Sequence, residues 1–241
     1  MRNKQVNITY RQTSMDIKIT TINFGGVNCY LLQSDTNYIL IDNGIPAKWA
    51  YLERELQKAG CNPGNLKLVV LTHGDLDHAG NSSILKEKYG VKIAMHFDDS
   101  LMVEKGDMNW NRKEKPDKFS ILFRAMRLMS FFFKPGEFKT FAPDIYLDEN
   151  FDFSQYRFDA KVIHIPGHSK GSIGILTSDG SFICGDFLYN FFGEPRLEVC
   201  DNLADFNTSV EKLKNYEINT FYPGHGKPFT MKQFLKKYAD V

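Results

Sequence analysis

The chain has 241 residues, with 30 Lys+Arg against 29 Asp+Glu, a net charge of +1, and 42% apolar and 24% charged residues. This composition is that of a globular protein and excludes disordered, collagenous and coiled-coil classes. The even charge balance argues against a general nucleic-acid binder, which carries a basic surplus, and no stretch reaches the ~18 consecutive apolar residues of a membrane-spanning helix.

Residues 1–15 are polar and aperiodic and read as an extension, with the folded domain running from 16 to 241. The N-terminus has no apolar core of a secretory signal. Cys29, Cys61, Cys184 and Cys200 lie far apart with no C-x-x-C, which suits reduced, buried thiols in a cytoplasmic protein. From Asp16 the pattern is β: Ile17–Ile22, Val27–Gln33 and Tyr38–Asp42 are short apolar runs separated by glycine and polar turns. A helix is predicted over Pro46–Ala59, where Trp49, Leu52 and Leu56 share one face. Leu66–Leu71 is a buried-type strand. Asn81–Tyr89 reads as a helix and Val91–His96 as a strand, an α/β alternation. Later strands are predicted at Lys161–Ile165, Ser172–Thr177, Ser181–Cys184 and Ile218–Tyr222, with helices at Ala204–Tyr216 and Met231–Ala239.

Residues 105–140 break this rhythm. A polar stretch, Gly106–Lys115, precedes an aromatic, methionine-rich segment, Pro116–Phe133, predicted as a helix. Phe119, Phe123, Met126 and Phe133 are more apolar surface than a solvent-facing loop carries. Core packing is one expectation. The others are a lid whose Phe123 and Met126 line a substrate pocket, and a contact surface for a homodimer.

The strongest chemical signal is Thr72-His73-Gly74-Asp75-Leu76-Asp77-His78-Ala79-Gly80, directly after a buried strand. Strand C-terminal ends are where open α/β sheets place active sites, and imidazole with carboxylate suits zinc, iron or manganese. His168 and His225 each follow a strand in a Pro-Gly-His turn, and Asp186 ends a third strand in Cys-Gly-Asp. His96 and His164 are left over and read as structural.

These residues resemble the metallo-β-lactamase superfamily, whose ligands run H-x-H-x-D-H, then His, Asp and His. The resemblance extends from about Asp16 to the C-terminus, with 105–140 as an insertion, and Asp42-Asn43-Gly44 is similar to a family turn near the site. It implies a four-layer αββα sandwich of two mixed sheets flanked by helices, with a two-metal site at one edge. It places His73, Asp75 and His168 on the first metal and Asp77, His78 and His225 on the second, with Asp186 bridging. Asp75 departs from the family's histidine. Two divalent ions, three carboxylates and a hydroxide sum to about zero, where the usual ligand set sums to about +1, so bound water is acidified less. Zinc is the first expectation, and the hard oxygen of Asp75 tilts preference towards iron or manganese.

The resemblance further implies hydrolysis by a metal-bound hydroxide on a small ester, lactone or thioester, with Asp77 or Asp186 orienting the hydroxide or carrying its proton. Tyr189 falls where some lactonases of the superfamily have a tyrosine. Lys170, Asn190 and Arg196 are read as exposed groups able to hold an anionic substrate. Glyoxalase II-type thioesterases are expected to carry an added helical C-terminal domain, which weighs against that subgroup. The alternatives are a diiron redox protein similar to flavodiiron oxygen reductases, and a phosphodiesterase or nuclease of the same superfamily. More remote is a serine hydrolase through Ser169, since Gly167-His168-Ser169-Lys170-Gly171 matches G-x-S-x-G.

Overall fold

Six strands build the first sheet of the computed structural model, in the order β1 (Lys18–Asn23), β2 (Asn28–Ser34), β3 (Asn37–Ile41), β4 (Leu66–Val70), β5 (Ile93–Met95) and β7 (Ile145–Tyr146). The first three strands are antiparallel, and β3, β4, β5 and β7 run parallel. The second sheet has the order β13 (Phe229–Thr230), β12 (Thr220–Pro223), β10 (Ser181–Gly185), β9 (Ile173–Thr177) and β8 (Ala160–His164). The structure describes residues 16–121, 124 and 136–239.

The four layers follow from the two-residue period of the strands. Tyr30, Leu32, Ile39, Ile41, Leu68 and Val70 point to one side and meet Val162, Ile173, Ile175 and Ile183 of the second sheet. Their neighbours Leu31, Leu40, Val69 and Leu71 point the other way, onto Leu52 and Leu56 of α1 (Trp49–Lys58) and Leu85 of α3 (Ser82–Tyr89). On the far side, Ile163, Leu176 and Phe182 pack against Phe206, Val210 and Leu213 of α5 (Leu203–Leu213) and Phe234 of α6 (Met231–Tyr238). Both faces of each central strand are therefore buried, and each such aliphatic or aromatic side chain contributes about 1.5–3 kcal/mol. The α/β fold of two mixed sheets with flanking helices is the one the resemblance implies.

The helices packed on the second sheet begin at side-chain caps. Asn202 accepts from the amides of Ala204 and Asp205 at the start of α5, and Thr230 with Gln233 forms a capping box on α6. The predicted helix over Pro46–Ala59 divides into a 3₁₀ turn, Pro46–Lys48, and α1. Among the described residues, α4 (Phe97–Lys105), capped by the His96 imidazole accepting from the Asp98 amide, is a helix the sequence did not mark.

The insertion differs from expectation. Lys118–Phe119 is a strand, β6, paired antiparallel with β11 (Val199–Cys200), with Phe119 opposite Val199. The predicted helix over Pro116–Phe133 therefore does not begin at Pro116. The ladder continues through the Ser120 amide to the Glu198 carbonyl, which holds these residues extended. The expectations placed on Phe123, Met126 and Phe133, both as lid and as dimer contact, lie outside the described residues. All four cysteines are buried free thiols, and among the described residues no helix is long and apolar enough to cross a membrane.

Candidate metal centre

The cluster sits where β4 ends. Residues after Leu71 leave the sheet through Thr72 and His73, and α2 (Leu76–Ala79), one helical turn, brings Asp77 and His78 inward. The loop after β8 delivers His168, the end of β10 delivers Asp186, and the turn after β12 delivers His225. His73, His78, His168, Asp186 and His225 are all buried, at 5% exposure or less. Gly224 has no room for a side chain: a Cβ there would lie 2.2 Å from Asp186 Oδ1 and 2.6 Å from His78 Cε1.

Each imidazole is oriented through its Nδ1. His78 Nδ1 donates to Asp42 Oδ2 at 2.8 Å, and His225 Nδ1 donates to the Gly26 carbonyl at 2.8 Å. His73 Nδ1 lies 2.9 Å from Thr72 Oγ1, whose proton goes to Asp42 Oδ2. His168 Nδ1 faces the Val199 carbonyl at 3.3 Å. These partners fix the tautomers and turn every Nε2 towards the centre, the arrangement metal-binding histidines adopt.

The Nε2 atoms of His73, His78 and His225 and the Oδ1 of Asp186 are buried without a hydrogen-bond partner. Buried polar atoms are rarely left so. His78 Nε2 is 3.2 Å from Asp186 Oδ1, and His225 Nε2 is 3.3 Å from Asp186 Oδ2 and 3.4 Å from Asp77 Oδ2. Donor atoms sharing one tetrahedral ion at 2.0–2.2 Å stand about 3.3–3.6 Å apart; His78 Nε2 is 3.9 Å from Asp77 Oδ2, and Asp77, His78 and His225 form a group able to hold a divalent ion, with the Asp186 carboxylate against both histidines. His73 Nε2, Asp75 Oδ2 and His168 Nε2 form a neighbouring group, with Asp75 Oδ2 3.5 Å from His73 and 3.1 Å from His168.

Burial alone would lower the basicity of His78 and His225, but Asp186 and the other nearby carboxylates outweigh it. His78 is pushed well above the ordinary range and His225 up to about 10. Burial alone would raise Asp77 and Asp186, yet His78 and His225 hold both below the ordinary carboxylate range. Asp75 is likewise held well below it, against burial, chiefly by Arg112.

The signs give a pH prediction for metal-free protein. The raised histidines stabilise it fully below about 6.5, their unfolded value, and this contribution is lost as pH rises towards about 10. The depressed aspartates stabilise it above about 4 and this contribution is lost as pH falls. The melting temperature of chelator-treated protein is expected to peak between about pH 4 and 6.5 and to drop on the alkaline side. Zinc should remove much of that drop, because ligating imidazoles are neutral. A melting temperature flat from neutral to alkaline pH without metal would contradict this charge arrangement.

The other side chains named from the sequence fall in different surroundings. Tyr189 is buried, its hydroxyl donates to Asp186 Oδ2 at 2.7 Å and its ring stacks on His225. It braces the centre rather than facing open pocket. Asn190 is not exposed as expected: it is buried, and its amide donates to the Lys227 and Pro228 carbonyls, tying down the His225 turn. Lys170 is exposed, donates to Asn111 Oδ1 at 2.8 Å and borders a cavity of about 310 Å³ that Arg112 and Asp201 also line. Arg196 is half-exposed beside Glu194. His96 and His164 stack on each other with centroids 4.3 Å apart.

Ser169 is buried, and its hydroxyl meets Asp99 Oδ2 at 2.6 Å and Ser172 Oγ at 2.7 Å. The strand β9 follows it, where a nucleophile elbow requires a helix.

Four residues of the site were not singled out individually from the sequence. Asp42, at φ +56°, joins Thr72 and His78; the turn Asp42-Asn43-Gly44 was its one signal. Asp99 accepts from Gly74, Ser169 and Gly171 and so staples the two histidine loops together. Thr72 links Asp42 to His73. Arg112 reaches in from the insertion, with Nη2 2.9 Å from Asp75 Oδ1.

A model of the metallo-β-lactamase superfamily matches residues 22–225. Hydroxyacylglutathione hydrolase GloC of Haemophilus influenzae is 30% identical, over 91% of this chain and 94% of that protein. A Beta-lactamase-like protein 2 homolog of Drosophila melanogaster is 27% identical, over 90% of this chain and 65% of that protein. Among solved structures, a metallo-β-lactamase family protein from Thermus thermophilus superposes with TM-score 0.67 at 19% identity, covering 92% of this chain and 78% of that one. A subclass B3 metallo-β-lactamase of Bradyrhizobium japonicum gives TM-score 0.66 at 19% identity, covering 94% and 88%. With one family model spanning most of its length, the chain belongs to the metallo-β-lactamase superfamily and is a metal-dependent hydrolase.

Proposed function

We propose that this hydrolase cleaves small acyl thioesters, or esters of similar shape, at a centre held by Asp77, His78, Asp186 and His225. The observation that carries the metal-dependent reading is the set of buried, partnerless Nε2 and Oδ1 atoms that converge there. The thioester is favoured by the activity for which the Haemophilus influenzae relative is named. The match covers 94% of that relative, so the added helical domain expected of such thioesterases does not weigh against the assignment.

A divalent ion bound there supplies a Lewis acid that polarises the acyl carbonyl and acidifies water; zinc is the first candidate, with iron or manganese next. The chain's own residues do the rest. Asp77 is the most exposed of the four, its side chain one-third accessible, so its carboxylate can take a proton from an attacking water. Tyr189 spends its hydroxyl on Asp186 Oδ2 and keeps that carboxylate turned inward. Asp42 fixes the His78 tautomer. Lys170, at the cavity rim, is placed to attract an anionic leaving group.

The test is a substrate panel on purified protein: a hydroxyacylglutathione thioester, a simple acyl thioester, a lactone, a β-lactam and a phosphodiester. Thioester cleavage that is lost with a chelator and restored by zinc is expected. Turnover confined to the β-lactam or the phosphodiester would overturn the substrate class, and turnover unaffected by complete metal removal would overturn the centre.

A further inference from the structure

The four motif histidines are not equivalent. His73, His78 and His225 each present a buried Nε2 with no hydrogen-bond partner, but His168 does not. Its Nε2 is already engaged, 3.1 Å from Asp75 Oδ2 and 3.3 Å from Arg112 Nη2. The same Nη2 is 2.9 Å from Asp75 Oδ1, an ion pair set off the hydrogen-bonding direction. The Arg112 side chain is 16% exposed, so this guanidinium is largely removed from water, and buried cations persist when paired.

The loop that carries Arg112 is pinned on both sides. The Lys113 amide donates to Asp201 Oδ1 at 2.8 Å, and Asn111 Oδ1 accepts from Lys170 at 2.8 Å. Its placement is therefore a property of the fold and not of a loose surface side chain.

We propose that Arg112 is the resident cation of the first metal pocket, so that the chain holds one divalent ion, in the pocket of Asp77, His78, Asp186 and His225. The inference rests on the metal centre assigned above and goes beyond it. A second ion among His73, Asp75 and His168 would have to displace Arg112 from both Asp75 and His168 Nε2, and would set a double positive charge beside a buried guanidinium. Asp75 and Arg112 form a neutral pair, so the family's first ion is replaced by a covalently tethered charge. His73 Nε2 is left as a hydrogen-bond acceptor for water or substrate. The charge count made from the sequence, which lacked Arg112, then changes: one ion, two ligating carboxylates and the neutral Asp75–Arg112 pair.

The experiment is metal stoichiometry, read by elemental analysis after saturation with zinc and removal of free metal. The wild-type chain is expected to keep one zinc. Arg112→Met, with its circular dichroism unchanged, is expected to keep two, because the guanidinium no longer stands in the first pocket and Asp75 and His168 are free to ligate. His168→Ala is expected to keep one. Two zinc ions in the wild type would overturn the proposal, as would one in a folded Arg112→Met chain or none in a folded His168→Ala chain. The wild-type count and His168→Ala decide the matter if Arg112→Met does not fold. No zinc in the wild type would instead defeat the metal centre itself.

Discussion

Asp77→Ala is expected to lose nearly all hydrolytic activity, while Ser169→Ala keeps most of it. The Asp77 side chain is one-third exposed and lies 3.4 Å from His225 Nε2, so its removal strips the centre without opening the core. The loss should exceed the 10–100-fold in activity or metal affinity that deleting an outer partner of a metal site typically costs. Ser169 is deep, and its hydroxyl serves Asp99. Alanine there removes a hydrogen bond to a buried carboxylate, worth about 1.5–3 kcal/mol of stability, yet takes nothing from the metal ligands. A serine nucleophile would behave in the opposite way, with a loss on the order of 10⁶-fold in turnover. Turnover, zinc content and chemical denaturation of both variants separate the two mechanisms. Collapse of Ser169→Ala activity at unchanged zinc content would reverse the assignment.

Asp42→Ala should be the most damaging single change outside the ligands. Its carboxylate accepts from the Thr72 amide, the Thr72 hydroxyl and His78 Nδ1, all at 2.8 Å and all buried. Leaving those donors unsatisfied costs roughly 1–3 kcal/mol each, less where a neighbour relaxes. Asp42 also sits at φ +56°, a left-handed conformation that Asp and Asn tolerate and alanine does not favour. A loss of about 3–5 kcal/mol is expected, a large share of a typical domain's stability. Zinc affinity should fall about 10–100-fold, because His78 loses the partner that fixes its tautomer. Asp42→Asn keeps the turn but offers one acceptor oxygen where two now serve, so it should recover stability more than affinity. Denaturant titration of metal-free protein and zinc competition against a chromophoric chelator measure the two effects separately. A variant within about 1 kcal/mol of wild type with unchanged affinity would mean that Asp42 does not support the centre.

The parts of this protein legible in its sequence are those encoded locally. Apolar runs such as Leu66–Leu71 marked strands buried on both faces, and each candidate ligand stood directly after such a run. A side chain's distance from its own strand end is fixed by a few backbone dihedrals, so His73, Asp75, Asp77, His78, His168, Asp186 and His225 could be named as candidates without a structure. The misread parts depend on meetings between distant segments. Asn190 looked like a surface amide until the Lys227 and Pro228 carbonyls closed over it. Lys118–Phe119 looked helical until Val199–Cys200 offered it a ladder. Asp42 and Thr72, 30 positions apart, share a hydrogen bond that no periodicity announces.

Arg112 is the clearest case. It lies in a polar, aperiodic stretch where nothing local separates it from its lysine neighbours, and its partners Asp75 and His168 belong to two other loops. The sequence by itself determined which residues could bind metal. Which cation stands beside Asp75 was decided only by tertiary structure, because a charge is selected by what surrounds it in space and a sequence records only what surrounds it along the chain.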